Sequence, residues 1–361
     1  MPRVYERIAD SFKRIPTLHL IGTNGKGTTG RFIAAALHSL GYRVGHYSSP
    51  HILKFNERIW LSGFDVSDAE LEAAHEKLQE LLTPEESQAL SYFEYTTLLG
   101  MLLFQECDYI VLEAGLGGEH DATAVFANDL TLVTPIDFDH QAFLGDTIEK
   151  IATTKINAVQ KRMLLAKQPH DAVYEVAKKI AEAKGVSWQK TEDILDGADY
   201  SLIDEVSAHL GLEGYLKENL SHALGALKYL GVEYKRADFG ASRLFGRLSP
   251  IAPNITLDVG HNPLAAAGVL KAYKQKRVTL IYNTYRDKEY EKILSIIAPI
   301  VQKVLIIEVK EARIEARERL EAVLERLGLP YGTFTLPLDS HAEYLVFGSF
   351  SVIENFLKVY R

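Results

Sequence analysis

Along the chain, short apolar runs that end at glycine or a polar residue alternate with longer segments in which apolar residues recur every three or four positions. Leu18-His19-Leu20-Ile21 stops at Gly22, and Phe32-Ile33-Ala34-Ala35-Ala36-Leu37 is followed by a stop at Gly41, which together read as strand, loop and helix. A buried strand is expected at 43–47, helices at about 68–82 and 93–104, strands at 109–113 and 130–134, and a helix from Thr147. Strands in regular alternation with helices imply a parallel sheet covered on both faces. The series continues with a strand at 162–166, a helix at 171–184 and a helix at 217–230 closed by Gly231.

Beyond the polar stretch 233–242 a second series opens: strand 255–258, helix 263–273, strand 277–282, helix 288–297, strand 303–308, helix 313–327 and strand 344–347. The expectation is two α/β domains, residues 1–236 and a smaller one at 243–361, with no repeat or low-complexity tract in either. A length of 361 residues agrees, because a single hydrophobic core stops growing before that size.

Composition changes this picture little. Hydrophobic residues make up 47% and charged residues 24%, as in an ordinary folded chain without long disordered stretches. The net charge of -8 argues against a broad nucleic-acid surface, which needs clustered Lys and Arg. Anionic substrates then require a locally basic pocket, for which Lys26, Arg58 and Arg247 are candidates. Cys107 is the single cysteine, so no intrachain disulfide can form, and its neighbours Glu106 and Asp108 disfavour a reactive thiolate. The start Met1-Pro2-Arg3-Val4 has no apolar core behind it, and no apolar run reaches membrane-spanning length. A soluble cytoplasmic protein with neither a membrane nor a nucleic-acid partner is expected.

Candidate chemistry concentrates at strand ends. In the first turn, Gly22, Gly25 and Gly27 allow several backbone N–H groups to face one point at a helix N-terminus, where an anion is favoured. Lys26 adds a charge for bound phosphates and Thr28 a hydroxyl for magnesium. The spacing departs from G-x-x-x-x-G-K-[ST], because Leu20 stands in the place of its first glycine and Gly27 separates Lys26 from Thr28. Glu113 closes the strand 109–113 ahead of Gly115, Gly117 and Gly118, a position from which a carboxylate can hold the same metal. His140 and Lys155 follow the next strand, and read alone they are a surface histidine and a helix-surface charge. In the second half, Asp258-Val259-Gly260-His261-Asn262-Pro263 again sets polar groups at a strand end, with Arg247 from Phe245-Gly246-Arg247-Leu248 as a planar cation for a phosphate.

The order of these segments resembles the Mur ligase superfamily, and within it the folylpolyglutamate synthase/dihydrofolate synthase family. Gly22 to Thr28 is similar to its phosphate loop, and Ser48-Ser49-Pro50-His51 with Phe55-Asn56-Glu57-Arg58-Ile59 to its serine-containing Ω-loop. Further matches are Phe93-Glu94-Tyr95-Thr96-Thr97, Glu113-Ala114-Gly115-Leu116-Gly117-Gly118, Asp121-Ala122-Thr123, Asp139-His140, Leu144-Gly145-Asp146-Thr147 and Lys155. Asn219, Gly246-Arg247-Leu248, Asp258, His261-Asn262-Pro263, Asp287-Lys288 and Gly348-Ser349 follow in the family's order, so the resemblance covers nearly the whole chain.

That resemblance implies a larger N-terminal P-loop NTPase-like domain with a mostly parallel sheet and a smaller C-terminal Rossmann-like α/β domain. It implies ATP and two magnesium sites, with Asn24, Gly25, Lys26, Gly27 and Thr28 around the ATP phosphates. Thr28, Ser49 and Glu113 would surround the first magnesium; His140 and Lys155, the latter matching a carbamylated lysine, would serve the second. Asn219 would touch the adenine and Asp258 the ribose, with Arg247 and His261 on the γ-phosphate. The implied reaction joins L-glutamate to a folate or dihydropteroate carboxylate through an acyl phosphate. ATP contacts drawn from both domains imply closure around the substrate. Lys26, His140, Lys155, Arg247 and His261 are the expected catalytic set, in a monomer.

Glu119 and Ala124 stand where the family commonly has Arg and Asn, and Gly260 replaces the usual Ala. Fewer residues precede Gly22 than in most members, which sets the expectation on polyglutamylation ahead of dihydrofolate synthesis. Two alternatives stay open: a Mur-type amino-acid ligase on another substrate, for whose uridine-nucleotide domain there is no room before residue 22, and a nucleotide-binding switch ATPase.

Overall fold

The computed structural model of the chain describes residues 1–274 and 276–360. It divides into two compact units, one of Met1–Leu212 with Lys217–Arg243 and one of Glu213–Leu216 with Leu244–Arg361.

Eight strands build the sheet of the first unit: β1 (Thr17–Ile21), β2 (Val44–Tyr47), β3 (Ile59–Leu61), β4 (Phe64–Asp65), β5 (Tyr109–Glu113), β6 (Leu130–Val133), β7 (Arg162–Leu165) and β8 (Ser187–Lys190). Their order is β4-β3-β2-β5-β1-β6-β7-β8. From β2 to β8 every pairing is parallel, as the alternation of apolar runs and amphipathic segments implies. β3 and β4 form an antiparallel ribbon at one edge, turned by Ser62 and Gly63, both at positive φ as a two-residue hairpin of this hand requires. Buried apolar clusters hold the unit, two of them on named residues. One joins Tyr47, Leu98, Leu102, Phe104 and Leu112, the other Ile21, Val133, Ile151, Ile156 and Val173.

Six strands build the second sheet: β9 (Ser249–Ala252), β10 (Ile255–Asp258), β11 (Val278–Tyr282), β12 (Val301–Ile306), β13 (Tyr331–Thr333) and β14 (Tyr344–Phe347). The order is β13-β12-β11-β14-β10-β9, parallel except where β9 runs against β10.

Several boundaries differ from expectation. The helix expected from residue 313 begins at Arg317, because 311–316 is taken up by a turn whose Ile314 bridges Tyr285. The helices Pro2–Ile8, Pro84–Ala89, Gln141–Leu144, Gly197–Leu210 and Phe350–Tyr360 lie outside the expected set. The last has an apolar stripe at Val352, Ile353, Phe356 and Leu357, all buried.

Candidate active site

Three neighbouring strands end side by side at the carboxyl edge of the first sheet. β1 lies between β5 and β6, with Leu20 level with Glu113 and Ile21 level with Val133. Later strands are added on both sides of β1, so strand order reverses there, and open α/β sheets bind ligands at such points. The turn from β1 into helix Lys26–Ser39 carries Gly22 at φ 142° and Gly25 at φ 92°. A Cβ on Gly25 would come 2.6 Å from Oδ1 of Asn219, so backbone conformation and close approach both demand glycine. Asn219, on helix Tyr215–Tyr229, therefore stands against the phosphate loop, and its Nδ2 is buried without a partner among the described residues.

The loop is braced from the neighbouring strand end. The N–H groups of Thr23 and Asn24 donate to the carbonyl of Pro135 at 2.9 and 3.3 Å, and the Thr23 hydroxyl donates to the Asp137 carbonyl at 3.0 Å. Lys26 folds back onto the turn, donating to the Gly22 and Thr23 carbonyls at 3.1 and 3.3 Å, with Nζ 3.9 Å from Glu113 Oε1. Gly27 and Thr28 occupy the first helical turn. The Thr28 hydroxyl oxygen is buried with no partner among the described residues, an arrangement that costs stability unless a ligand uses it.

Ser49 follows β2, the other neighbour of β5, and its N–H donates to Glu113 Oε2 at 3.3 Å. The loop after it is held by Glu57, whose carboxylate accepts the N–H groups of Ile52, Leu53 and Lys54 at 2.7, 2.9 and 2.8 Å. Lys155, from helix Ile148–Ile156, is buried, and its ammonium donates to the Gly22 carbonyl at 2.9 Å. Burial, helped by the charge of Lys26 and opposed by Asp139 and Asp121, lowers its pKa to about 7. A substantial share of Lys155 is thus neutral near physiological pH. His140 caps the short helix Gln141–Leu144 at φ 53°, with its ring half-exposed and 3.9 Å from Asp139 Oδ1.

Asp121 organises the backbone after Glu113. Its carboxylate accepts from Gly115 N, Leu116 N and Thr123 N at 3.0, 2.8 and 3.0 Å, and from the Thr123 hydroxyl at 2.5 Å. His19 of β1 meets the same hydroxyl at 2.8 Å. The motif Asp121-Ala122-Thr123 is visible in the sequence, because Asp and Thr two apart form local turns. Its buried partner His19 is not.

The second unit gathers its own group. The Asp258 carboxylate, at the end of β10, accepts Leu248 N at 2.9 Å, Gly260 N at 2.8 Å and the hydroxyl of Tyr215. Burial raises its pKa, against the pull of Arg247 and these donors. The Arg247 guanidinium lies over the Phe350 ring at 5.5 Å, and the His261 ring sits 6.4 Å from the same ring, so both residues flank one aromatic. His261 Nδ1 is 3.0 Å from the Val259 carbonyl.

The residues expected from the sequence thus fall into two sets. Asn24, Gly25, Lys26, Gly27, Thr28, Ser49, Glu113, Lys155 and Asn219 converge at one sheet edge, while His140 lies beside Asp139, whose charge acts on Lys155. Arg247, Asp258 and His261 converge in the second unit. Among the described residues no group of three or more His, Cys, Asp or Glu side chains is placed to hold a metal ion. The donors expected for the first magnesium, Thr28, Ser49 and Glu113, are two hydroxyls and one carboxylate, and the orphaned Thr28 oxygen suits a small hard cation that keeps waters and phosphate oxygens as its other ligands.

No family model matches the chain. It is 31% identical to the dihydrofolate synthase/folylpolyglutamate synthase of Escherichia coli (strain K12), over 94% of this chain and 85% of that protein. Among solved structures it resembles the folylpolyglutamate synthetase of Helicobacter pylori at 37% identity and a TM-score of 0.78, covering 99% of this chain and 93% of the other. It also resembles E. coli FolC in complex with DHPP and ADP at 25% identity and a TM-score of 0.81, covering 99% and 91%.

Proposed function

Because the chain belongs to the dihydrofolate synthase/folylpolyglutamate synthase family, we propose that it uses ATP to join L-glutamate to the carboxylate of a folate. The observation that carries this reading is the single sheet edge where a glycine loop, the unpartnered Thr28 hydroxyl, Glu113 and the buried Lys155 meet. A phosphate loop alone serves many reactions, but a buried lysine whose pKa is lowered by desolvation directly beside that loop supports more than simple nucleotide binding.

A carboxylate is a poor acyl donor, so the folate carboxylate first attacks the γ-phosphorus of ATP, giving an acyl phosphate and ADP. The glutamate amine then attacks the acyl carbon, and phosphate leaves from the tetrahedral intermediate as the amide forms. Lys26, turning from the Gly22 and Thr23 carbonyls to the phosphates, supplies positive charge where it develops. By the family resemblance Arg247 and His261 would contact the γ-phosphate as it passes to the carboxylate, and Asn219 would meet the adenine. Magnesium, when bound, would neutralise phosphate charge, with Thr28, Ser49 and Glu113 holding one ion and His140 and Lys155 a second. Lys155 supports that role because its neutral amine can add carbon dioxide, losing a proton and turning an ammonium into an oxygen donor.

Among the described residues no helix is long and apolar enough to cross a membrane. A cytoplasmic monomer is the proposed form, in keeping with Cys107, whose thiol pKa is pushed up by burial to about 12. Incubating the full chain with MgATP, L-glutamate and either tetrahydrofolate or dihydropteroate, with mass spectrometry of the product, tests the proposal. A tetrahydrofolate longer by one glutamate is expected, and the parallel reaction tests dihydrofolate synthesis. No product from either acceptor would overturn it.

A further inference from the structure

Just past β6 the pairing with β7 loses a backbone donor. Val133 is level with Leu165, and the Ala166 N–H donates to the Val133 carbonyl at 2.9 Å. The next bond of a parallel ladder would run from the N–H of residue 135 to the Ala166 carbonyl. Residue 135 is proline, which has no N–H to give. Gln168 fills the gap with its side chain. Its Nε2 donates to the Ala166 carbonyl at 3.0 Å and to the Val133 and Thr134 carbonyls at 3.3 and 3.4 Å, while its Oε1 accepts the Ile136 N–H at 2.9 Å. Carbonyls face one end of the amide and an N–H the other, so only one orientation satisfies them. The side chain is buried, and the Gln168 N–H donates to the Tyr174 hydroxyl at 2.9 Å.

The segment held in this way is one wall of the phosphate loop. Between Thr134 and Ile136, both bonded to Gln168, the Pro135 carbonyl accepts the N–H groups of Thr23 and Asn24. One residue beyond Ile136, the Asp137 N–H donates to the Thr23 hydroxyl oxygen at 3.0 Å. The Thr134 N–H donates to the Ile21 carbonyl at 2.9 Å, and a Cβ on Gly22 would come 2.0 Å from Thr134 Oγ1, so loop and strand end are in direct contact. The same two strands carry a matching bridge at their opposite end. There the Gln160 side chain accepts the Asn128 N–H at 2.9 Å and donates to the Ala124 and Phe126 carbonyls at 3.2 and 3.1 Å. That bridge lies ahead of β6, at the amino edge of the sheet, whereas the phosphate loop lies at the carboxyl edge.

We infer that Gln168 is a positioning residue for the nucleotide: its amide stands in for the N–H that Pro135 lacks, and so sets the Pro135 carbonyl to which Thr23 and Asn24 are bonded. The inference rests on the proposed function only in taking Gly22 to Thr28 as the loop that receives the phosphates of ATP. Gln168 is a residue to which the resemblance gives no role.

Calorimetric binding of a non-hydrolysable ATP analogue, with magnesium, to the full chain tests this in wild type, Gln168→Met and Gln160→Met. Methionine keeps the unbranched length of the side chain and removes the amide. Gln168→Met should bind the analogue roughly tenfold more weakly, the scale on which a site responds to losing an outer hydrogen-bond partner. Gln160→Met should bind it as wild type does. A bridge that served stability alone would lower the melting temperature and leave the affinity of the folded chain as it was. Wild-type affinity in folded Gln168→Met would therefore overturn the inference, as would an equal loss in Gln160→Met. Residue-resolved amide hydrogen exchange of the wild type decides the matter where Gln168→Met fails to fold. The acceptor of the Thr23 and Asn24 amides is fixed by the bond between Gln168 and Ile136, so their protection should not exceed that of the Ile136 amide. Protection of Thr23 and Asn24 greater than that of Ile136 by more than about tenfold would overturn the inference. Failure of the wild type to bind the analogue at all would instead overturn the nucleotide-dependent function beneath it.

Discussion

The buried ammonium of Lys155 donates to the carbonyl of Gly22 at 2.9 Å, which links the helix Ile148–Ile156 to the first residue of the phosphate loop. With its pKa lowered to about 7, Lys155 is available as a neutral amine where a positive charge would otherwise repel Lys26. Replacing it by alanine should nearly abolish ligation while ATP still binds. Adding short carboxylic acids should restore part of the rate, because a free carboxylate can take the place of the carbamate. Full activity in Lys155→Ala without rescue would remove the residue from the mechanism.

At Thr28 stability and function part. Its hydroxyl is buried and unpartnered among the described residues, so Thr28→Val should leave the metal-free melting temperature unchanged or higher. Magnesium-dependent ATP affinity should fall by at least the roughly tenfold that even outer-shell losses cost a metal site. A variant with unaltered magnesium dependence would show that the hydroxyl faces no metal.

Gly25 is constrained twice, by φ 92° and by Asn219 Oδ1 at 2.6 Å from where a Cβ would stand. Gly25→Ala should destabilise the protein by about 1–3 kcal/mol, the usual cost of a non-glycine residue held in such a conformation. ATP binding should fall with it, since the alanine displaces Asn219 from the loop. Thermal unfolding and nucleotide titration together check this; a variant as stable as wild type would show that the turn relaxes freely.

Three histidines buried in the first unit set an acid limit. Burial lowers His19 to about 4 and His222 to about 3, and holds His46 well below its ordinary value of 6.5 with the added charge of Arg31. Folded pKa values below the unfolded value mean that the unfolded chain binds more protons between them. Stability should therefore be lost as pH falls from about 6.5 toward 4, by up to about 1.4 kcal/mol per pH unit for each histidine. Denaturant unfolding across that range, compared with His222→Gln, should show a shallower slope in the variant. An identical slope would mean that His222 is not buried as a neutral ring.

Much of this architecture is legible in the chain because strands and helices alternate with clear apolar periods and glycine stops. The loop Gly22 to Thr28 and the strand-end Glu113 are legible for the same reason, since both depend on local sequence. Lys155 is different, because nothing within its own helix signals that it is buried under a loop 133 positions away in sequence. His19 and Tyr215 are not legible at all. Their importance lies in partners brought to them by packing, Thr123 across the sheet edge and Asp258 beyond a long stretch of chain, and neither residue type announces such a contact. The helix Phe350–Tyr360 has a readable stripe, but its β-branched and aromatic residues give weak helix propensity.

In a ligase of this kind ATP is consumed only as a folate carboxylate and L-glutamate are joined. The most direct measurement is ADP release by the full chain with magnesium, in reactions that omit the folate, omit L-glutamate, or contain both. Sustained release is expected only with both, at the rate at which the glutamylated product appears. ADP released at a similar rate without glutamate or without folate would contradict the ligase account and favour a nucleotide switch.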